Sequence, residues 1–550
     1  MRNCNEIVNE ILNKRGITSE EQIEEFLSDR PQQTYDPFLL DGMQEGVDLL
    51  LSEIDKGGRI CIYGDYDADG VTSICIMSHG IGQLTDNWFY YIPSRFEEGY
   101  GLNIKALDKI KHQGATMLVT VDCGCVSYNE VEYAKSIGLK VIVTDHHNIE
   151  DTIADCIVID SKKPEKFLEG KEPYPFKDLA GCGVAFKFVQ ALQRKTGFAK
   201  AALNDCLDMV AIGTIGDIVS LRDENRTLTK YGMAIANTGR RKALSSLANA
   251  ISLKNITSEN VAFGIVPHIN ATGRMDSASE AVELFVSDDD MVIDEKIHKL
   301  MSCNNERKRI QEKAYENCID LVTGDEDFIV LYLPDMHEGI AGIVAGKLKD
   351  RYFRPVIIVT PSGDGFLKGT GRSIPSIDIY DVLNKNSSLF VRFGGHRSAC
   401  GFLMPEEKLE QLREGVAREI KALKYSNENL FEKKIETDTS LVPGEVSVEL
   451  AKELTKLAPF GEGNPNPRFL FKDVIIKGLS YIGENRTHAR FSICSENNGT
   501  RDYANCVFFR RAQEYSNILE SGNRLSLIGT VSYQVWRGQE RVQVVVEELI

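Results

Sequence analysis

Four short apolar runs, each closed by turn-forming or acidic residues, constrain the fold of this chain most strongly. Continuous apolar runs of this length are typical of parallel strands that are buried on both faces of a sheet. Helical periodicity separates them, which indicates βαβ units. The chain from about residue 45 to 220 is therefore predicted to form an open α/β sheet from the runs RICIY (59–63), MLVTV (117–121), VIVT (141–144) and CIVID (156–160).

The remaining sequence predicts further segments around this sheet. A long amphipathic stretch is typical of a connecting helix, a second α/β pattern follows it, and short alternating strands separated by turns indicate a small all-β barrel. The predicted order is a helical lead (1–44), the first α/β domain (45–288), the connecting helix (289–325), the second α/β domain (326–430) and the barrel (431–550).

Composition excludes several classes of protein. The formal net charge of −17 argues against a protein that coats nucleic acid non-specifically, although residues 340–403 reverse the sign locally. The 13 cysteines are scattered and form no C-x-x-C pair, as expected of reduced cytosolic thiols. No apolar run reaches the roughly 18 residues of a membrane span, so we expect a cytoplasmic protein without a membrane partner.

The motif GDYDADG (64–70) follows the first run and carries Asp65, Asp67 and Asp69 at alternate positions. Alternate side chains of an extended segment point the same way, and carboxylates so close together repel one another unless a cation compensates. A calcium loop of the EF-hand type competes with this interpretation. However, that loop needs a preceding helix and a Glu at its twelfth position, which is Ile76 here. The motif therefore predicts metal binding.

Later segments add further candidate ligands. Asp122 follows the second run and the third ends in Asp145-His146-His147, and open α/β sheets bind ligands beyond the carboxyl ends of their strands. Asp217 ends an apolar helix, where a carboxylate opposes the helix dipole unless a cation is near. Carboxylates and imidazole without thiolate favour Mn²⁺ or Mg²⁺, and two such ions suit water activation and phosphoryl displacement.

Glycine-rich, cationic segments suggest a phosphate-binding role in the second half of the chain. Glycines let backbone N–H groups approach an anion closely. Such turns are common, so they carry weight only beside a metal centre. The candidates are Asn270 and Arg274 in PHINATGRM (267–275), Arg372 and Ser373 in GTGRS (369–373), and Gly394, Gly395 and His396 in RFGGHRSACG (392–401).

Together these motifs resemble a known family. DYDADG, VDCG, TDHH and the later Asp217 resemble the four motifs of the DHH phosphoesterases, and the stretch FGGH-x-x-A-x-G (393–401) resembles the DHH-associated substrate domain. Other stretches are similar to the single-strand-specific DNA exonucleases of that family, and the resemblance covers essentially the whole chain. They include IPSRFEEGYGL (92–102), ENRTLTKYG (224–232), HEGIAGIVAGKL (337–348) and APFGEGNPNPRF (458–469).

The resemblance implies a metal-dependent exonuclease that degrades single-stranded DNA in the 5′-to-3′ direction to mononucleotides in DNA repair and recombination. It implies two Mn²⁺ or Mg²⁺ ions and an OB-fold for the barrel. A helicase and a single-strand-binding protein are candidate partners, and we expect a monomer.

The resemblance also implies roles for individual residues. Asp67, Asp69, Asp122, His146 and Asp217 would bind metal and act in catalysis, with Asp65 and His147 as ligands or supports. Arg274, Arg372, Ser373 and His396 would hold phosphates and the strand end, and Arg95 and Tyr100 would line the rim. Barrel candidates for nucleic-acid contacts are Tyr481, Tyr533, Trp536, Arg486, Arg490 and Arg537, although a place in the barrel core is the competing interpretation for the aromatic residues.

Two departures from the family pattern and three rival functions accompany these expectations. Tyr63 stands where many members have His, which would cost the first metal one ligand, and His268 stands where Arg is common. A phosphodiesterase of short oligonucleotides or cyclic dinucleotides shares the metal core, but its chains are typically shorter and lack the barrel. An inorganic pyrophosphatase is disfavoured by the extra domains. A catalytically silent replication scaffold is disfavoured by the intact acidic set.

Overall fold

The computed structural model describes residues 2–95, 98–99, 101–363, 365–483, 485–497, 500–536 and 538–550. The chain divides into two compact units. The first comprises Met1–Val266, Phe285–Asp288 and Ile435–Ile550, and the second comprises Pro267–Leu284 and Asp289–Lys434. No helix in the described ranges combines the length and apolar character needed to cross a bilayer.

Helices and strands alternate around the first sheet, a series of consecutive helices then follows, and strands dominate the C-terminal part. The helices are α1 (Cys4–Lys14), α2 (Glu20–Leu27), α3 (Met43–Asp55), α4 (Ala68–Gly82), α5 (Ile104–His112), α6 (Tyr128–Ser136), α7 (Gly181–Thr196), α8 (Lys200–Asn204), α9 (Leu207–Gly216), α10 (Asp223–Ala236), α11 (Lys242–Ala250), α12 (Ser258–Asn260), α13 (Val266–Met275), α14 (Ser279–Val286), α15 (Asp290–Ile319), α16 (Glu338–Tyr352), α17 (Ile379–Asn384), α18 (Leu409–Ser426), α19 (Val448–Thr455) and α20 (Ser516–Glu520). The strands are β1 (Ile60–Gly64), β2 (Trp88–Tyr91), β3 (Met117–Val121), β4 (Lys140–Asp145), β5 (Ile157–Asp160), β6 (Ile329–Tyr332), β7 (Val356–Pro361), β8 (Phe366–Arg372), β9 (Arg392–His396), β10 (Ala399–Pro405), β11 (Thr439–Ser440), β12 (Arg468–Ile482), β13 (His488–Asn497), β14 (Thr500–Phe508), β15 (Arg524–Trp536) and β16 (Gln539–Leu549).

The first unit is built on a parallel five-stranded sheet in the order β2-β1-β3-β4-β5. The pairing aligns Gly64 with Val121, and Val121 with Thr144, so these strands end in one row. Strands β1 and β3 are buried at every position, which agrees with the continuous apolar runs. The predicted α/β fold is therefore confirmed. The sheet also has an edge strand, β2, that the sequence analysis did not predict. Its sequence is WFYY and it is only half-buried.

The second unit contains a mixed sheet in the order β6-β7-β8-β10-β9. Strands β6 and β7 are parallel, and β7, β8, β10 and β9 pair in antiparallel fashion. Helix α16 shares an apolar cluster with one face of β6 and β7, and α17 and α18 share another with the opposite face. The long predicted connecting helix is α15, with 30 residues.

The C-terminal part of the first unit is a β-barrel, as predicted. In the sheet, neighbouring strands are hydrogen-bonded in the order β12, β13, β14, β16 and β15. An additional pairing between β12 and β15 closes the barrel. Phe469, Phe471 and Phe491 lie in its core. The N-terminal helix α1 contributes Ile7 and Ile11 to the same cluster. The beginning of the chain therefore packs with the barrel.

Candidate metal centre

The loop between β1 and α4, together with the first turn of α4, places three carboxylates at the carboxyl edge of the sheet. Asp67 caps α4, where its carboxylate accepts hydrogen bonds from the N–H groups of Asp69 (3.0 Å) and Gly70 (3.1 Å). The Asp69 carboxylate accepts from the first N–H groups of α7, on Gly181 (2.7 Å) and Cys182 (2.9 Å). Asp65 is 4% exposed and its Oδ1 has no hydrogen-bond partner. The loop thus delivers carboxylates to a site that is largely closed to solvent.

Asp122, His146 and Asp217 meet this loop from three other segments. The Nε2 atom of His146 lies 3.0 Å from Asp122 Oδ1, and 3.7 Å from Oδ2 of both Asp69 and Asp217. Both ring nitrogens of His146 are buried without a hydrogen-bond partner. Asp217 is the C-cap of α9, as the sequence predicted. The structure therefore gathers around one imidazole carboxylates that are far apart in sequence.

These groups fit divalent cations. Three overlapping sets keep their ligand atoms within 4.8 Å of one another, and each set could hold one ion. The unpartnered atoms of Asp65 and His146 supply donor atoms that no other protein group uses. The oxygen-rich, thiolate-free sets suit Mn²⁺ or Mg²⁺. The sets are Asp65/Asp67/Asp122, Asp69/His146/Asp217 and Asp122/His146/His147.

Burial and mutual repulsion shift the pKa values of these groups. Burial, followed by the charges of neighbouring aspartates, raises the pKa of Asp122 well above its ordinary value and that of Asp217 to about 8. Burial lowers the pKa of His146 to about 4, so its imidazole is neutral at pH 7, as a metal ligand requires. A cluster of carboxylates that resists ionisation in this way is stabilised by bound cations.

Asp145 orients the second histidine, a role that the sequence analysis missed. Its Oδ1 lies 2.7 Å from His147 Nδ1, and its Oδ2 accepts the N–H of Cys125 at 2.9 Å. Burial lowers the pKa of His147, but the hydrogen bond and charge of Asp145 outweigh burial and raise that pKa to about 9. The sequence signal was the acidic residue between the third strand and the two histidines.

Asp160 was missed as well. It ends β5 in register with Asp145, and together with Cys125 these two aspartates form a further buried cluster. Burial, followed by the charge of Asp145, raises the pKa of Asp160 well above its ordinary value. Its signal was also in the sequence, because the fourth apolar run ends in this aspartate.

The two departures from the family pattern have structural explanations. The Tyr63 hydroxyl donates to the Gly101 carbonyl at 2.8 Å, and its ring stacks on Tyr91 with the centroids 5.7 Å apart. In the second unit, His268 Nε2 lies 2.9 Å from Asn304 Nδ2. Both side chains therefore make buried contacts within their own units.

At the predicted rim, the Arg95 guanidinium lies 5.0 Å from the centre of the Tyr66 ring. Tyr100 lies outside the described residues. Arg95 is thus placed beside the residue that separates Asp65 from Asp67.

The predicted phosphate-binding arginines meet at α16 of the second unit. Arg274 Nη1 donates to the Gly339 carbonyl at 2.8 Å. A Cβ added at Gly342 would lie 2.9 Å from Arg372 Nη2, so this glycine allows the guanidinium to approach the helix closely. Asn270 precedes Arg274 by one turn of α13 and lies on the same helix face.

The other predicted phosphate contacts lie on the strands beside Arg372. Arg372 and His396 are both register partners of Ala399, on opposite sides of β10. Gly394 and Gly395 belong to the exposed strand β9. The Ser373 hydroxyl donates to the Ile377 carbonyl at 2.8 Å.

In the barrel, Tyr481 and Tyr533 pack partly buried against the core cluster. Their hydroxyls donate to Glu520 (2.7 Å) and Glu540 (2.6 Å), respectively. The guanidinium of Arg486 lies 4.7 Å from the centre of the Tyr481 ring, and Arg490 is exposed. The Trp536 side chain and Arg537 lie outside the described residues.

Comparison with known proteins agrees with this architecture. The family model described as the DHH family, N-terminal domain, matches residues 59–214, the DHHA1 domain matches 325–422 and the RecJ OB domain matches 437–548. A parallel sheet that presents an Asp-His-His motif and clustered aspartates at its carboxyl edge thus defines a DHH phosphoesterase.

Individual relatives narrow the class. The single-stranded-DNA-specific exonuclease RecJ of Bacillus subtilis is 33% identical over 98% of this chain and 67% of its own length. The RecJ of Escherichia coli K12 is 34% identical over 83% of this chain and 81% of its own. The crystal structure of Thermus thermophilus RecJ with Mn²⁺ matches 98% of this chain and 75% of that chain, with a TM-score of 0.82 and 26% identity. The chain belongs to the RecJ family.

Proposed function

We propose that this protein hydrolyses phosphodiester bonds of single-stranded DNA from one end, with two Mn²⁺ or Mg²⁺ ions. The observation that carries the proposal is the convergence of Asp69, Asp122 and Asp217 on the unpartnered, buried His146. Membership of the RecJ family supports the substrate, because the relatives are named single-stranded-DNA-specific exonucleases.

The proposed mechanism assigns separate tasks to the residues of the centre. Bound divalent ions would supply an activated water and neutralise charge on the phosphoryl group. The residues that would hold these ions are Asp65, Asp67, Asp69, Asp122, Asp217 and the neutral His146. His147, kept protonated by Asp145, offsets negative charge beside them.

The second unit and the rim would bind the strand. Asn270, Arg274, Arg372 and His396 are proposed to contact phosphates as charged or polar partners. Gly394 and Gly395 would shape the same surface, and the buried Ser373 would support the turn after Arg372. Arg95 and Tyr100 are proposed to line the entrance. Digestion from 5′ to 3′, release of mononucleotides and a role in repair and recombination belong to the same proposal.

The decisive experiment offers three substrates with Mn²⁺: single-stranded DNA labelled at either end, the matching duplex, and a cyclic dinucleotide. We expect loss of mononucleotides from the 5′ end of the single strand alone. Hydrolysis of the cyclic dinucleotide without attack on the strand would favour the small-molecule phosphodiesterase instead. No hydrolysis of any substrate would refute the proposed activity.

Asp122→Asn provides the matched variant for this experiment, since it keeps the size of the side chain and removes its charge. Loss of a residue that only supports a metal ligand lowers activity by up to about a hundredfold. Asp122 is proposed as a ligand itself, so we expect turnover to fall by more than that. Binding of labelled single-stranded DNA, followed by fluorescence anisotropy, should be retained, because phosphate contacts lie elsewhere in the chain.

We propose that the protein works in the cytoplasm as a monomer and meets a helicase and a single-strand-binding protein on its substrate. Its relatives are named single-stranded-DNA-specific exonucleases, which supports action on DNA in the cell. Analytical ultracentrifugation of the full chain tests the monomer, and co-purification from cell extract with either protein class tests the partners.

A further inference from the structure

A groove of about 850 Å³ lies in the second unit between strand β6 and helix α18. Its volume is within the range of roughly 300–1,000 Å³ typical of ligand-binding clefts. Val330 and Tyr332 line one wall, and Val416 and Ile420 of α18 line the other. Leu321, which is 53% exposed, also lines the groove. Neither the metal centre nor the proposed phosphate contacts use these residues.

Strand β6 leaves one of its edges unpaired. It is the first strand of its sheet, and within the described chain it pairs only with β7. The Ile329 N–H donates to the carbonyl of Pro355, directly before β7, and the Leu333 N–H donates to the Val359 carbonyl of β7, both at 2.9 Å. Alternate residues of a parallel pair point their backbone groups the opposite way. Val330 and Tyr332 therefore direct their N–H and C=O groups towards the free edge, where another strand could add.

The side chains beside this edge form an apolar surface that is only partly covered. Val330 and Tyr332 pack against the cluster that contains Val416 and Ile420, and they remain partly exposed. A strand added at β6 would extend this surface and place every second side chain over the groove. The groove thus offers backbone hydrogen bonds and apolar contacts together, the two components of peptide recognition by strand addition.

Charge selects the kind of peptide. Arg413, Lys421 and Lys424 line the groove, and their spacing of eight and three residues places them along one stripe of α18. Lys424 pairs with Asp327 at 2.8 Å, while the Glu326 carboxylate accepts the N–H groups of Thr323 and Gly324. Among the described residues, Lys421 has no salt-bridge partner. Arg413 pairs with Glu410 at 3.5 Å. The acidic groups of the groove are thus engaged locally, and Lys421 remains to meet a ligand.

From these observations we infer that the groove between β6 and α18 docks an extended, acidic peptide segment of a partner protein. The peptide pairs with the free edge of β6, directs apolar side chains beside the partly exposed Val330 and Tyr332, and places a carboxylate near Lys421. This site recognises a protein segment and is separate from the residues proposed to bind nucleic acid.

The test uses the full chain and a short fluorescent peptide in which aspartate alternates with isoleucine, with binding followed by anisotropy. A peptide of the same length with lysine in place of aspartate is the charge control. We expect saturable binding of the acidic peptide that weakens with added salt, and no binding of the basic one. Failure of the acidic peptide to bind, or equal binding of both peptides, would overturn the inference.

Matched variants separate the charge from the strand edge. Lys421→Glu should weaken binding about tenfold, whereas Arg418→Glu, on the same helix but outside the groove, should leave it unchanged. Val330→Pro removes an edge N–H that no ladder uses, which edge strands tolerate, and should abolish binding. Val330→Ala keeps that N–H and should retain most of the peptide binding. Circular dichroism verifies that each variant is folded.

Two results would contradict the proposed occupant. If Lys421→Glu and Arg418→Glu bound the peptide equally well, charge would play no part. If the chain sedimented as a dimer that Val330→Pro dissociated, the edge would be occupied by a second copy of this chain.

Discussion

At the scale of single residues, the centre depends on side chains whose backbone or surroundings are unusual. Asp122 has a φ of 60° and Ile218, directly after Asp217, a φ of 59°. Left-handed backbone at residues other than glycine is costly and concentrates at functional sites. Both residues adjoin or belong to the proposed ligand set. The backbone therefore adopts an unfavourable conformation at these two positions, and this conformation orients the carboxylates of Asp122 and Asp217 towards His146.

Asp145→Asn should weaken the centre without removing a proposed ligand. The amide cannot offer His147 the same charged acceptor, so the imidazole loses its orientation and its raised pKa. Because His147 then no longer holds its positive charge beside the reacting phosphate, we expect the rate of hydrolysis at saturating Mn²⁺ to fall about 10–100-fold.

Asp151→Asn makes the same chemical change at a side chain that is 96% exposed. Asp151→Asn should hydrolyse the substrate with Mn²⁺ at the same rate as the unmodified protein. Equal rates of hydrolysis at saturating Mn²⁺ in the two variants would show that Asp145 does not orient His147.

The raised pKa of Asp217 predicts how pH acts on the metal-free protein. Its pKa is about 8 in the folded chain and 3.8 ordinarily, so the folded state keeps a proton that the unfolded chain releases. The free energy of unfolding should therefore fall as the pH rises from about 4 to 8. Mn²⁺ takes the place of that proton, and should raise the melting temperature more at pH 8 than at pH 5.

Asp217→Asn is the control for this measurement, because it removes the titrating group. Its metal-free stability should depend less on pH over the same range. An Mn²⁺-induced shift in melting temperature of the same size at both pH values would contradict the assignment.

At the scale of elements, the centre depends on how closely helices approach the strand ends. A Cβ added at Gly181, the first residue of α7, would lie 2.7 Å from Asp122 Cβ. A Cβ at Gly213 of α9 would lie 2.3 Å from Thr72 Oγ1 and 2.8 Å from Asp69 Oδ1. Only glycine permits these contacts. The two helices therefore pack directly against the aspartates of the centre.

Gly181→Ala should displace Asp122 and disturb catalysis more than stability. We expect a loss of about 1–3 kcal/mol in the free energy of unfolding, as for overpacked cores, together with a large loss of Mn²⁺-dependent hydrolysis. Gly183→Ala in the same helix meets only the Leu179 side chain, at 3.2 Å. Hydrolysis by Gly183→Ala should remain close to that of the unmodified chain, and a similar loss in both variants would count against this explanation.

At the scale of the whole molecule, the first unit joins segments from both ends of the chain. Arg226 of α10 lies 3.7 Å above the Phe26 ring and donates to the carbonyls of Phe26, Lys456 and Leu457. The Leu221 N–H donates to the Glu462 carbonyl at 2.8 Å. Two of the stretches similar to the family's exonucleases, 224–232 and 458–469, thus lie at one joint between the sheet domain and the barrel.

Arg226→Met should loosen this joint. Methionine fills the space but leaves buried carbonyls without donors, at a cost of about 1–3 kcal/mol for each unsatisfied group. We expect a loss of about 3 kcal/mol or more in the free energy of unfolding of the first unit, measured in urea. Arg240→Met is the control, because Arg240 is 62% exposed. It should change the free energy of unfolding by less than about 1 kcal/mol. Equal stability of the two variants would show that the joint contributes nothing.

Much of the fold and of the candidate centre was predictable from local sequence. Apolar runs such as MLVTV must be buried on both faces, and parallel strands end at a common edge, so Asp65, Asp122 and His146 could be placed together in advance. Strand β2 was not predictable in this way, because WFYY at a half-buried edge shows neither a continuous apolar run nor alternation.

Local sequence by itself determined the buried strands of the first sheet and the chemical type of the metal ligands, because burial periodicity and residue chemistry act over a few residues. Only the tertiary structure decided which distant groups meet. It brought Asp217 within 3.7 Å of His146, packed α1 with the barrel core and left one edge of β6 unpaired. Such contacts depend on the packing of whole elements, and no short stretch of sequence encodes them.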